Sequence, residues 1–309
     1  IGDSLLHGPR FGFKETEDMF QRADDYVDTG LAHAFASEDL AEVQKILGRQ
    51  YHAVVGNPPY IVVKDAALNQ AYRRRYVSCH MKYSLGCPFT ERFFELAQTG
   101  RDGQGEAAKA GFVGLITANS FMKREFGSKL IEHVLPALDL THVIDTSGAY
   151  IPGHGTPTVI LFGRHRAPVA GEVRTVMGIK GEPSTPADPA HGLVWSAIVG
   201  QVDVAGSESE FVSVTDTPRA TFGKHPWSIG GGGATDVKEL IEAVATLQLK
   251  AVTQEMGVFG MTNADEAMLA DPSSFSRRGV ARASHCPLVV GDLVRDWAVA
   301  ATEDVYFPY

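Results

Sequence analysis

Cysteine and tryptophan are scarce, three of each in 309 residues. Cys79, Cys87 and Cys286 are too few and too unevenly spaced for a disulfide framework. Paired short spacings of the kind that hold a four-ligand metal are lacking too. Cys79-His80 with Cys87, or His285-Cys286, are the nearest approach, and no metal is expected. No stretch approaches about 18 uninterrupted apolar residues, and no charged segment with an apolar run behind it opens the chain. Neither membrane insertion nor secretion is indicated, and the cytoplasm is the expected location. Positive charge is in the minority: 28 Lys and Arg face 37 Asp and Glu, a net charge of −9. That balance argues against a protein that coats nucleic acid without specificity, but it leaves room for a local basic groove. No internal repeat or heptad is visible.

What the chain does have is enough apolar material, 44% of residues, to bury a sizeable core, and length for about two domains. It is organised around Ala53-Val54-Val55-Gly56-Asn57-Pro58-Pro59-Tyr60-Ile61, an apolar run that ends in an amide, two prolines and an aromatic ring. The run reads as a buried strand stopping at a site. Two successive prolines donate no N–H and hold φ near −65°, so the chain leaves the sheet in a stiff corner. The Asn57 amide oxygen and the Pro58 carbonyl then form a pair of acceptors suited to an exocyclic NH2, and Tyr60 offers a flat face for a ring. The competing reading is a tight turn after a core strand, with Tyr60 only packing. Open α/β sheets bind ligands at the carboxyl ends of their strands, which favours the first.

Asn57-Pro58-Pro59-Tyr60 after the Val-Val-Gly strand resembles motif IV of the S-adenosylmethionine-dependent amino-methyltransferases, especially the adenine-N6 DNA methyltransferases. The resemblance continues through Gly114-Leu115-Ile116-Thr117-Ala118-Asn119-Ser120-Phe121-Met122 and Gly153-His154-Gly155-Thr156-Pro157-Thr158-Val159-Ile160-Leu161-Phe162. With these included, the chain looks most like the large PglX-type methyltransferases of BREX phage-defence systems, well over about residues 1 to 166 and loosely beyond. The resemblance implies an α/β fold: the C-terminal part of a Rossmann-like class I methyltransferase sheet, mostly parallel with its last strand antiparallel, then a mixed α+β region. It implies S-adenosylmethionine as cofactor, and double-stranded DNA and other phage-defence proteins as partners. Asp3, in Gly2-Asp3-Ser4-Leu5-Leu6, matches the acidic residue that contacts the cofactor's adenine, although Asp is also an ordinary turn residue. Asn57 borders the cofactor as well. The family's Gly-rich cofactor loop has no counterpart; Gly230-Gly231-Gly232-Gly233 lies far downstream and reads as a flexible loop. The chain begins with Ile and is expected to be a segment of a longer protein, inactive alone.

In order, helices are expected over 14–30 and 38–48, the second starting at Ser37-Glu38-Asp39, then a strand over 52–56. Lys64 to Val77 is Arg-rich, a helix or irregular insertion at the cleft rim. Residues 88–99 form an amphipathic helix with Phe89, Phe93 and Leu96 as core stripe. A strand over 111–117 leads through the Asn119-Ser120 cap to a helix over 121–134, stopped by Pro136. Strands over 140–144 and 156–162 close the sheet. Between them Tyr150 is the aromatic placed to stack on the other face of a base held by Tyr60, or else to pack; His154 contacts phosphate or base, or is an ordinary loop histidine. Lys64, Arg73, Arg74, Lys123 and Arg124 are candidate DNA contacts, or solvated surface. The composition changes near Arg166, so a methyltransferase domain over 1–167 and a second region over 168–309 are expected. Within the second, 194–204 reads as a strand pair, Asp236 to Leu249 as a helix, and the end as the start of a target-recognition domain.

The chemistry this implies is methyl transfer to a weak nucleophile, the N6 amine of adenine, rotated out of the duplex to be reached. Two acceptors on its hydrogens favour the pyramidal nitrogen that attacks. Other readings are a glutamine-amide or structured-RNA methyltransferase, and a catalytically incomplete DNA-binding module of a defence complex.

Overall fold

The computed structural model describes residues 2–11, 38–100, 109–153, 155–231, 233–247, 249–252, 265–289, 294–295, 298–299 and 301–307. The helix expected over 14–30 lies outside them. Two compact units are formed, residues 1–243 and 244–309.

The first unit is built on a six-stranded sheet in the order β1-β2-β4-β3-β5-β6. Its strands are β1 (Ala53–Gly56), β2 (Phe112–Ala118), β3 (Asp139–Asp145), β4 (Thr158–Arg164), β5 (Glu172–Gly178) and β6 (Val212–Pro218). β1 runs parallel to β2 and β3 parallel to β5, whereas β4 is antiparallel to both of its neighbours and β6 to β5. The sheet is therefore mixed rather than mostly parallel, because β4 inserts between two strands that run together. β4 is the antiparallel strand expected to be last, but β5 and β6 follow it in the sheet. The boundary expected at 167/168 falls inside this unit, since β5 and β6 continue the sheet.

Helix α1 (Leu40–Leu47) is capped by Asp39, whose carboxylate accepts from the Glu42 amide at 3.1 Å. Helix α2 (Ala66–Arg75) is capped in the same way by Asp65. Helix α3 (Gly86–Leu96) lies on one face of the sheet, where Phe94, Val113, Leu115, Val143, Val159 and Leu161 form the main core. Phe89 and Phe93 pack at its margin.

Three segments depart from expectation. Residues 119–137 are not one α-helix but a chain of 3-10 turns and a π-helical turn over Leu130–Val134. A side chain at Gly127 would strike the backbone carbonyl of Phe121, so the chain folds back on itself there and breaks the helical path. Residues 194–204 are not a strand pair: helix α4 (Leu193–Gln201) forms because Glu182 accepts from the Leu193 and Val194 amides at 2.9 and 3.0 Å. It covers Ile144, Val176, Val212 and Val214 on the sheet's other face. Trp227, buried between Phe121 and Phe222, joins the main core.

Helix α5 (Ala234–Val244) takes up the first part of the helix expected over Asp236 to Leu249 and ends at Val244; its apolar stripe of Val237, Leu240, Ile241 and Val244 is exposed. The second unit carries an antiparallel sheet of Leu269–Ala270, Asp304–Tyr306 and His285–Pro287, held by His285 Nδ1 on Asp304 at 2.5 Å. No described helix is long and apolar enough to cross a membrane. Among the described residues, no group of three or more His, Cys, Asp or Glu could hold a metal ion. Burial pushes the Cys79 thiol up to about 12 and raises that of the buried Cys87, so neither is a nucleophile at neutral pH.

Candidate active site

Strands β1, β2 and β3 end at one edge of the sheet, and antiparallel β4 begins there. Three loops meet along that edge: the Asn57–Tyr60 corner after β1, Asn119-Ser120 after β2, and 146–157 between β3 and β4. Their positions follow from register, Gly56 lying beside Leu115 and Ala118 beside Thr158. Gly56 is required at the strand's end because any Cβ there would collide with the Phe93 ring of α3.

Among the described residues β1 is the outermost strand of the sheet, and its Val55 is 81% exposed rather than buried. Asn57 and Pro59 are exposed, Pro58 is buried and Tyr60 half-buried. No described residue donates to the Pro58 carbonyl or pairs with the Asn57 carboxamide. Asn57 is thus exposed with no partner among the described residues, whereas Pro58 is buried. Burial raises the Tyr60 hydroxyl and keeps it neutral, so its ring is an uncharged face. The corner is braced from behind: the Leu85 amide donates to the Ile61 carbonyl at 2.9 Å.

Tyr150 is 38% exposed and lines a cleft of about 550 Å³ with Ser147, Thr156, Ser184 and Thr185. The Thr146 and Thr158 hydroxyls bond at 2.7 Å and pin the base of its loop. Tyr150 follows β3 and Tyr60 follows β1, at the same edge but three strand spacings apart, about 14 Å. The two rings are not in contact. His154 lies outside the described residues.

Asp3 sits in a turn whose amides it caps. Its Oδ1 accepts from Leu5 and Leu6 at 2.8 and 3.2 Å, and its Oδ2 from the Tyr72 hydroxyl at 2.5 Å. The turn reading of Asp3 is thus part of its role. Lys64, Lys123 and Arg124 are exposed, as are Arg73 and Arg74. Arg73, however, donates to the carbonyls of Cys79 and Met81 and lies over the Tyr83 ring, bracing a loop. The basic run at Arg164-His165-Arg166 falls at the opposite end of the sheet, because β4 runs against its neighbours; Arg164 stacks on Phe112 and Arg166 pairs with Asp139. Gly231 packs on the end of β5, its amide donating to Gly178.

Sequence reasoning missed what holds the Asp3 turn. Arg92 and Glu95 on α3 are completely buried, Arg92 donating to the carbonyls of Ser4, His7 and Pro9 and to Glu95. Arg10 reaches both Glu91 and Glu95. Burial opposes the charge on Arg10, and the attraction of Glu95 and Glu91 overcomes it, holding the guanidinium above its ordinary value. Two arginines for two glutamates leave the cluster neutral. The only sequence signal was charge at Glu91, Arg92 and Glu95 on a helix that also carries Phe89, Phe93 and Phe94 and so had little surface left to expose.

Residues 9–151 match the family model described as Eco57I restriction-modification methylase. Over its whole length the chain is 47% identical to the adenine-specific methyltransferase PglX of Streptomyces coelicolor, of which it spans 25%. It is 24% identical over 237 residues to the type II methyltransferase M.PaeR7I of Pseudomonas aeruginosa, an overlap of 72% of this chain and 36% of that protein. The resemblance read from the motifs, to adenine-specific methyltransferases of restriction-modification and PglX type, is borne out by these matches. Among solved structures, that of the type IIG restriction endonuclease BpuSI matches with a TM-score of 0.42 at 15% identity, covering 77% of this chain and 28% of that one. That likeness is too distant to support a reading.

Proposed function

We propose that this chain is the target-amine half of an S-adenosylmethionine-dependent methyltransferase that modifies N6 of adenine in double-stranded DNA, within a phage-defence system. The observation that carries the reading is the exposed Asn57 carboxamide beside the Pro58 carbonyl, two acceptors at the strand edge with no partner among the described residues. Bound S-adenosylmethionine supplies the electrophilic methyl group. Asn57 Oδ1 and the Pro58 carbonyl accept the two N6 hydrogens, holding the amine in line and favouring its pyramidal form. No strong base is needed first, since the nitrogen becomes acidic only once alkylated. Tyr60 supports one face of the flipped adenine, and Tyr150, at the same end of the sheet, is the aromatic proposed for the other face. Exposed Lys64, Arg74, Lys123 and Arg124 track the phosphates, and His154 adds to them. Asp3 takes a donor from the cofactor's adenosine: its carboxylate has acceptor capacity beyond its three internal bonds, which fits.

The reading is tested by labelled methyl transfer from S-adenosylmethionine to DNA, RNA and release-factor substrates with the full-length protein. Product other than N6-methyladenine sinks it. Tyr60→Ala should slow turnover about thirtyfold with DNA affinity changed less than threefold, the scale of one lost base-aromatic stack. Equal loss of both would make the ring structural. The chain alone is proposed to be inactive, because the outer edge of β1 carries no strand among the described residues and Val55 stands exposed beside the corner. Calorimetry of the chain against the full-length protein checks this: tight cofactor binding by the chain alone would refute it.

A further inference from the structure

Helix α2 begins six residues after Tyr60 and has little apolar surface, yet Tyr72 on it is only 4% exposed. A buried tyrosine hydroxyl needs an acceptor, and the one it finds is Asp3 Oδ2, 2.5 Å away. The Asp3 turn has other anchors: Arg92 on the Ser4 carbonyl at 3.0 Å and the Tyr76 hydroxyl on the Leu5 carbonyl at 2.7 Å. These hold backbone. The Leu5 and Leu6 amides hold Oδ1, and with that oxygen alone fixed the carboxylate plane still swings about it. The Tyr72 hydroxyl supplies the contact that stops the swing. Burial, and then the hydrogen bond and charge of Asp3, raise the Tyr72 hydroxyl far above its ordinary value, so it remains a donor throughout the working pH range.

We infer that Tyr72 is a positioning residue for the cofactor: it fixes the plane of the Asp3 carboxylate, and through α2 ties that acid to the corner that holds the target amine. This rests on the proposed role of Asp3 toward S-adenosylmethionine. Its consequence is specific, since Tyr72 tunes cofactor affinity without touching the reacting atoms. A hydrogen bond to an ionised group accounts for roughly a tenfold change in affinity when lost.

The experiment is calorimetric titration of the full-length protein with S-adenosylmethionine, with kcat and DNA affinity measured alongside, for Tyr72→Phe, Tyr76→Phe, Asp3→Asn and the Asp3→Asn/Tyr72→Phe double variant. Tyr72→Phe should weaken cofactor binding about tenfold. Its kcat at saturating cofactor and its DNA affinity should stay near wild type. Asp3→Asn should weaken cofactor binding at least as much, and the double variant no further. Tyr76→Phe frees one backbone carbonyl of a turn that Arg92 still holds, and should weaken cofactor binding much less than Tyr72→Phe. If Asp3→Asn weakens binding and Tyr72→Phe does not, or if Tyr76→Phe mimics Tyr72→Phe, the inference about Tyr72 is overturned while the role of Asp3 stands. If Asp3→Asn binds cofactor normally, the role proposed for Asp3 fails, and the inference with it.

Discussion

Asn57→Ala in the full-length protein is expected to lower methylation of adenine by about a thousandfold or more, with little change in thermal stability or DNA affinity. The size follows from removing one of two preorganised partners of the reacting group, a loss of about 10² to 10³ in rate where such a group acts alone. Here the alignment of the amine is lost with it. Stability should hold because the carboxamide is exposed and bonds to no described residue. Asn57→Asp is the informative companion: it keeps an acceptor oxygen but adds charge, so it should retain partial activity. Quantifying N6-methyladenine in treated DNA decides the matter. Wild-type methylation by Asn57→Ala would remove the basis for the proposed chemistry.

The second large effect lies away from the corner. Arg92→Ala should destabilise the protein by about 3 to 5 kcal/mol, read as the shift in a denaturant midpoint. The guanidinium is fully buried and satisfies three backbone carbonyls of the 4–9 segment besides Glu95. Without it Glu95 shares Arg10 alone with Glu91, and the carbonyls of Ser4, His7 and Pro9 lose a donor. Arg92→Lys should recover little, because one ammonium cannot span the directions that a planar fork covers. Since the segment held is the one that carries Asp3, cofactor affinity should fall in parallel. A loss below about 1 kcal/mol would mean that the segment is held mainly by Tyr76 and the packing of Leu5.

Different parts of the site were legible in the sequence to different degrees. The Asn57–Tyr60 corner could be read because proline imposes its geometry locally, whatever surrounds it. The strands around it could be read because apolar runs between turn residues have few alternatives. Helix α4 could not: its Leu-Val-Trp-Ser-Ala-Ile-Val run suits strand and helix alike, and the deciding contact is a carboxylate, Glu182, from outside the segment. The broken path over 119–137 turned on the approach of Gly127 to the Phe121 carbonyl, which apolar spacing does not encode. Arg164 lies at the far end of the sheet from the corner because β4 runs against its neighbours, a direction that no local pattern sets.

By itself the sequence determined the stiff corner and the order of elements that bring it to a strand's end, both set by forces acting between near neighbours. The tertiary structure alone decided which charges are buried and that Asp3 meets Tyr72. Those outcomes depend on which distant segments approach, because desolvation and hydrogen-bond pairing are settled by the neighbours a side chain acquires on folding, whereas a proline ring carries its constraint with it.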